Sequence, residues 1–131
     1  MGRTSSGHPT ELELLILKIL WQRAPLPVRE IRQALVEQGR DLAHTTVITT
    51  LNVMVRKKYL DRTQQANAFL FGPLITREQV SEGMLGDLVQ RVFDGSAAAV
   101  MLSLFECAQI DSDELKELRQ IIDRKRKEQT P

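Results

Sequence analysis

The chain has 131 residues, 42% of them apolar, and a formal net charge of only +1. That is enough for one medium domain or two small ones with a normal core, and the total charge by itself gives no signal for nucleic acid. The lone cysteine, Cys107, excludes a disulfide within the chain. The two histidines, His8 and His44, do not stand at metal-ligand spacing, and no His-Glu-x-x-His, phosphate loop or nucleophile elbow occurs, so neither an enzyme nor a metal or other cofactor is expected. No apolar run is long enough to span a bilayer, so a cytoplasmic location without direct membrane insertion is expected.

Charge is uneven along the chain. Through Ile75 there are 10 Lys and Arg against 6 Asp and Glu, a net +4; from Thr76 onward the balance is 8 against 11, a net −3. A basic front and an acidic back fit a DNA reader joined to a module that stays off the DNA. The opening Met1-Gly2-Arg3-Thr4-Ser5-Ser6 formally fits an N-myristoylation pattern, but residues 1–9 read as a flexible leader.

Thr10-Glu11-Leu12-Glu13 is a capping box that opens a helix with Leu12, Leu15, Ile16, Ile19 and Leu20 inward and Trp21 near its end. Ala24-Pro25-Leu26-Pro27 stops it. Pro27 suits the first turn of a second helix, with Val28, Ile31 and Leu35 inward, and Gly39 marks that helix's end. A short link, Arg40 to Ala43, leads into a third helix. This helix-turn-helix pattern presents Val47, Leu51, Met54 and Val55 on one face and Thr45, Thr49, Asn52 and Arg56 on the other. β-Branched residues lose rotamer freedom in helices. A threonine-rich face is better explained by a DNA groove, where hydroxyls and amides reach base edges or phosphates and arginine grips guanine or phosphate.

Tyr59 to Thr63 and Ala68 to Phe71 read as strands around polar Gln64-Gln65-Ala66-Asn67, with Asn67 suited to a left-handed turn position. Three helices and a hairpin are the order of a winged helix, which assigns residues 10–75 to that domain. Residues 76–131 read as three helices. Val80, Met84, Leu85, Leu88, Val89, Val92 and Phe93 form the first stripe, Gly95 ends that helix and Ser96 caps the next. Val100, Met101, Leu104 and Phe105 follow; then, after an Asp111 cap, Leu115, Leu118, Ile121 and Ile122. Three short helices are too few to bury such stripes alone, and a symmetric partner chain is the natural cover. The expected fold is therefore mainly α with a small β-hairpin: a winged helix-turn-helix domain followed by a three-helix dimerisation domain.

The ordered set Thr10-Glu11-Leu12-Glu13, Ile19-Leu20-Trp21, Val28-Arg29-Glu30-Ile31, Thr45 through Leu51, Gly72-Pro73-Leu74 and Asp113 through Leu118 resembles the penicillinase-repressor (BlaI/MecI-type) family over roughly residues 9 to 125. The resemblance implies a homodimer that binds a palindromic, double-stranded operator and represses by obstructing a promoter, its two recognition helices about 34–36 Å apart or a multiple of that. It carries DNA contact onto Thr45, Thr46, Thr49 and Arg56. The helical face adds Asn52. Arg29 near a helix start, Arg62 on the hairpin and His44 are phosphate candidates. Val80, Met84, Leu85, Leu88, Val92, Leu104, Phe105, Leu115, Leu118 and Ile122 are the expected dimerisation residues.

Four departures stand out. Pro27 replaces a frequent Thr, and Ala66-Asn67 replaces a frequent Gly-Arg at the wing tip. The position of the family's Asn-Phe cleavage bond, cut when a membrane metalloprotease sensor signals, holds Ser103-Leu104. The cysteine cluster of the copper-responsive branch is replaced by Arg124-Lys125-Arg126-Lys127. Two other functions stay open: a ligand- or redox-responsive winged-helix regulator, Cys107 being the redox candidate, and a winged-helix protein-interaction module that binds no DNA.

Overall fold

The computed structural model describes residues 7–130, so most of the expected leader lies outside the described residues; within it, His8 and Pro9 are half-buried. The described residues form α1 (Glu11–Arg23), α2 (Val28–Glu37), α3 (His44–Arg56), β1 (Leu60–Gln65), β2 (Ala68–Pro73), α4 (Arg77–Arg91), α5 (Ala97–Cys107) and α6 (Ser112–Gln129). The architecture is a winged helix followed by helices, mainly α with one antiparallel hairpin.

α1 begins with the expected capping box: the Thr10 amide donates to Glu13 Oε1 at 2.9 Å and the Glu13 amide donates to Thr10 Oγ1 at 3.2 Å. Glu13 is also buried, and Lys57, just past α3, donates to both its oxygens at 3.1 and 2.8 Å. One carboxylate thus satisfies the start of α1 and ties it to the end of α3. α2 begins after Pro27, which sits at the N-cap rather than inside the first turn. α2 ends in a Schellman motif: the Gly39 amide donates to Val36 O at 2.9 Å and the Arg40 amide to Leu35 O at 2.8 Å. Gly39 has φ +86°, which a side chain would resist.

The core of the first unit is built from Ile16, Leu17, Ile19 and Leu20 of α1, Ile31, Ala34 and Leu35 of α2, and Val47, Leu51 and Met54 of α3. Leu26, Leu60, Phe71 and Val80 complete it. Leu12 and Leu15, expected inward, are only half-buried, while Leu17 is fully buried. α1 packs against both α2 and β2, so its buried face is wider than a single stripe.

The hairpin is tighter than expected. Gln64 and Gln65 belong to β1, the register runs from Leu60 opposite Pro73 to Gln65 opposite Ala68, and the turn is Ala66-Asn67 alone. The left-handed residue there is Ala66, at φ +55°, and not Asn67. A bridge between Leu26 and Phe71 adds a third short edge, with amide–carbonyl distances of 3.1 and 2.9 Å.

The chain divides into two compact units, one running through Gly86 and one starting at Asp87. The break lies within α4 rather than after Ile75. The reason is local: Trp21 Nε1–H donates to Ile75 O at 2.9 Å, Thr76 and Gln79 form a second capping box at 2.9 and 3.0 Å, and Val80 enters the first core. Val80 is therefore corrected from a dimerisation residue to a winged-helix core residue. In the second unit Ser96 caps α5 and Asp111 caps α6, as expected. No described residue of that unit is buried.

Two stability changes follow. Glu13→Ala lowers the free energy of unfolding in urea by about 2 kcal/mol, because it removes a cap acceptor and one half of a partly exposed ion pair. Ala66→Gly raises it by up to ~1 kcal/mol, since an L-residue in the left-handed region is strained and the unfolded glycine's extra entropy offsets only part of the relief.

Candidate nucleic-acid interface

α3 is pinned by Val47, Leu51 and Met54, all fully buried, which fixes what its other side shows. His44, Thr45, Thr46, Thr49, Asn52 and Arg56 are all exposed there, and α3 carries no acidic residue. Thr50 turns its hydroxyl back to Thr46 O at 2.9 Å and is spent inside the helix. Thr45, Thr46 and Thr49 make no side-chain hydrogen bond among the described residues. Hydroxyl, amide and guanidinium groups thus stand exposed together on the side of α3 away from the core.

The turn before α3 is held by Arg32, whose Nε–H donates to Leu42 O at 2.7 Å. α1, α4, α5 and α6 have side-chain caps on their starting amides. α2, starting after Pro27, and α3, starting after Ala43, have none. The first amides of the helix-turn-helix pair are therefore left for water or an anion, where the helix dipole favours negative charge. Arg29 is exposed in the first turn of α2. Neighbouring cations are compensated: Arg23 faces Glu30 at 4.0 Å, Arg32 faces Asp41 at 4.0 Å and Arg40 faces Glu11 at 3.3 Å. Arg29 and Arg56 have no such carboxylate among the described residues, which leaves their charge for phosphate or a base edge.

On the wing, Arg62 Nη1–H donates to Asn52 Oδ1 at 3.1 Å, and the guanidinium lies 4.8 Å from the centre of the Phe69 ring. The fold thereby brings two expected contacts, Asn52 and Arg62, into one group. Phe69 belongs to it and was not foreseen; the usable signal was strand alternation, which places it diagonally across from Arg62 once the register is known. Just past the C-terminal end of α3, burial holds the Tyr59 phenol above its ordinary pKa, with Lys57 acting the opposite way.

Most of the expected dimerisation residues are exposed in the single chain. Met84, Leu85, Leu88, Val92, Leu104, Phe105, Leu115 and Ile122 are exposed, joined by Leu102 and Ile121; Leu118 is half-buried. Ser103, half-buried, and Leu104 lie inside α5, and Cys107 is exposed at its last position. No described helix is long and apolar enough to cross a membrane.

The family model described as Penicillinase repressor matches residues 9–124. The transcriptional regulator BlaI of Mycobacterium tuberculosis is 30% identical over 114 residues, covering 86% of this chain and 80% of that protein. The penicillinase repressor of Bacillus licheniformis is 22% identical, covering 87% and 88%. Among solved structures, that of the hsRosR-S1 complex aligns over 92% of this chain and 95% of its own with a TM-score of 0.50 at 16% identity, a likeness of fold.

Arg56→Ala weakens binding to duplex DNA by about 1–3 kcal/mol, measured by fluorescence anisotropy at fixed salt. The unfolding midpoint stays unchanged, because the side chain is exposed.

Proposed function

The chain belongs to the penicillinase-repressor family of DNA-binding transcriptional regulators, and we propose that it acts as a homodimer that binds a palindromic, double-stranded operator and represses by blocking the promoter. The observation that carries this reading is the pairing of an acid-free α3 face of threonine, asparagine and arginine with a second unit in which no described residue is buried. Leu88 is 44% exposed, Val92 63%, Phe105 44% and Leu115 46%, values a lone chain in water would not retain at so many apolar positions in one small unit. A second copy covers them most simply, and two-fold symmetry then turns one recognition helix into two that address inverted half-sites.

The threonine and asparagine side chains supply contacts to base edges and phosphates, while Arg29, Arg56 and His44 supply charge or donors to the backbone. The protein performs no chemistry in this account; repression follows from occupancy.

Release by proteolysis belongs to the same proposal. A cut at Ser103–Leu104 would separate Leu115, Leu118, Ile121 and Ile122 of α6 from α4 and so remove a large share of the apolar face. Because that bond sits within α5, a protease such as a membrane metalloprotease sensor must first meet a locally unwound helix.

Leu88→Asp separates this reading from a monomeric one. The side chain is exposed in the single chain and lies outside the winged-helix core, so the substitution leaves that core intact but places a charge in the dimer contact. Sedimentation should show loss of the dimer, and operator affinity should fall at least tenfold with it. A variant that keeps wild-type affinity as a monomer contradicts the proposal.

A further inference from the structure

Asn52 and Arg62 stand on different elements, α3 and β1, yet their side chains are joined. The Arg62 guanidinium donates one N–H to Asn52 Oδ1 at 3.1 Å. A guanidinium holds only donors, so the amide atom facing it is the oxygen, and the Asn52 NH2 is turned away from Arg62. The guanidinium is held a second time, over the Phe69 ring at 4.8 Å from its centre. Phe69 pairs with Gln64 in the hairpin, diagonal to Arg62, and is 47% exposed, so nothing in the core requires an aromatic ring there.

The polar edge these groups offer is made of donors. It consists of the Asn52 NH2 and the remaining Arg62 N–H groups, with the one acceptor already engaged by a cation. In the major groove guanine shows two acceptors, N7 and O6, whereas adenine shows one acceptor and an amino donor. Asparagine's usual two-point reading of adenine needs its oxygen to receive that amino group. Here the amino group would approach an oxygen already bound to a guanidinium, against like-signed hydrogens.

We infer, on the operator-binding reading above, that Asn52 and Arg62 read a guanine as one unit, with Phe69 as the positioning residue that holds Arg62 in place.

The test is enrichment of randomised duplex DNA by the full-length wild type, Arg62→Ala and Phe69→Leu, scored as base preference at every operator position. The wild type should prefer guanine over adenine by roughly tenfold at one position of each half-site. Arg62→Ala should select the same operator but lose or invert the preference at that position alone. Phe69→Leu, which keeps the charge, should weaken the same preference severalfold without changing the salt dependence of binding. Equal thermal unfolding of all three proteins accounts for folding, since the positions are exposed. An operator enriched by the wild type whose preferences all survive Arg62→Ala, or fall uniformly, overturns this inference alone. Failure of the wild type to enrich any sequence overturns the operator reading and the inference with it.

Discussion

The Glu13 carboxylate is the constraint on which the winged helix turns. It accepts the Thr10 amide at the start of α1 and the Lys57 ammonium at the end of α3. A buried charge is costly without partners and stabilising with a full set. Here the set is local on one side and distant on the other. It therefore fixes the end of α3 against the start of α1, while Val47, Leu51 and Met54 fix its rotation. Every exposed group on α3, from Thr45 to Arg56, inherits its direction from those restraints. The Leu26–Phe71 bridge does the same for the hairpin, and only with both in place can Arg62 meet Asn52.

The two units solve the burial problem differently. The first closes its own core and recruits the start of α4 to do so through Trp21, Thr76 and Val80. The second has the helices, the caps and the apolar stripes, but no interior of its own. In the proposed dimer, folding of that unit and assembly would be coupled, as is common where the chain is too short to bury its apolar surface alone. The coupling gives the proposed repressor a simple point of control: whatever weakens the helical unit also separates the two recognition helices and reduces affinity steeply.

Much of this was legible from neighbours in sequence. The Thr10–Glu13 box, the Gly39 stop and the Ser96 and Asp111 caps depend on residues within one or two turns, and each stands where the pattern placed it. The exposed row of Thr45, Thr49, Asn52 and Arg56 was equally readable, because α3 keeps one period throughout. What escaped was long-range or shared. The stripe from Val80 to Val92 runs unbroken, so periodicity could not reveal that Val80 serves one unit and Leu88 the other. Lys57 reads as one of several surface cations until α1 is folded against α3. Asn67 was the better turn residue by propensity, yet the two-residue hairpin gives the left-handed position to Ala66. Phe69 looked like an ordinary strand residue, and only the register sets its ring beneath Arg62.

The most direct test of the account is a hydroxyl-radical footprint of the full-length protein on the genomic fragment it retains most tightly in moderate salt. Operator binding by a symmetric dimer predicts two protected patches related by a dyad, about one helical turn or a multiple of it apart, overlapping a promoter and bearing an inverted repeat. A single protected patch without internal symmetry, or no preferred fragment, would contradict it.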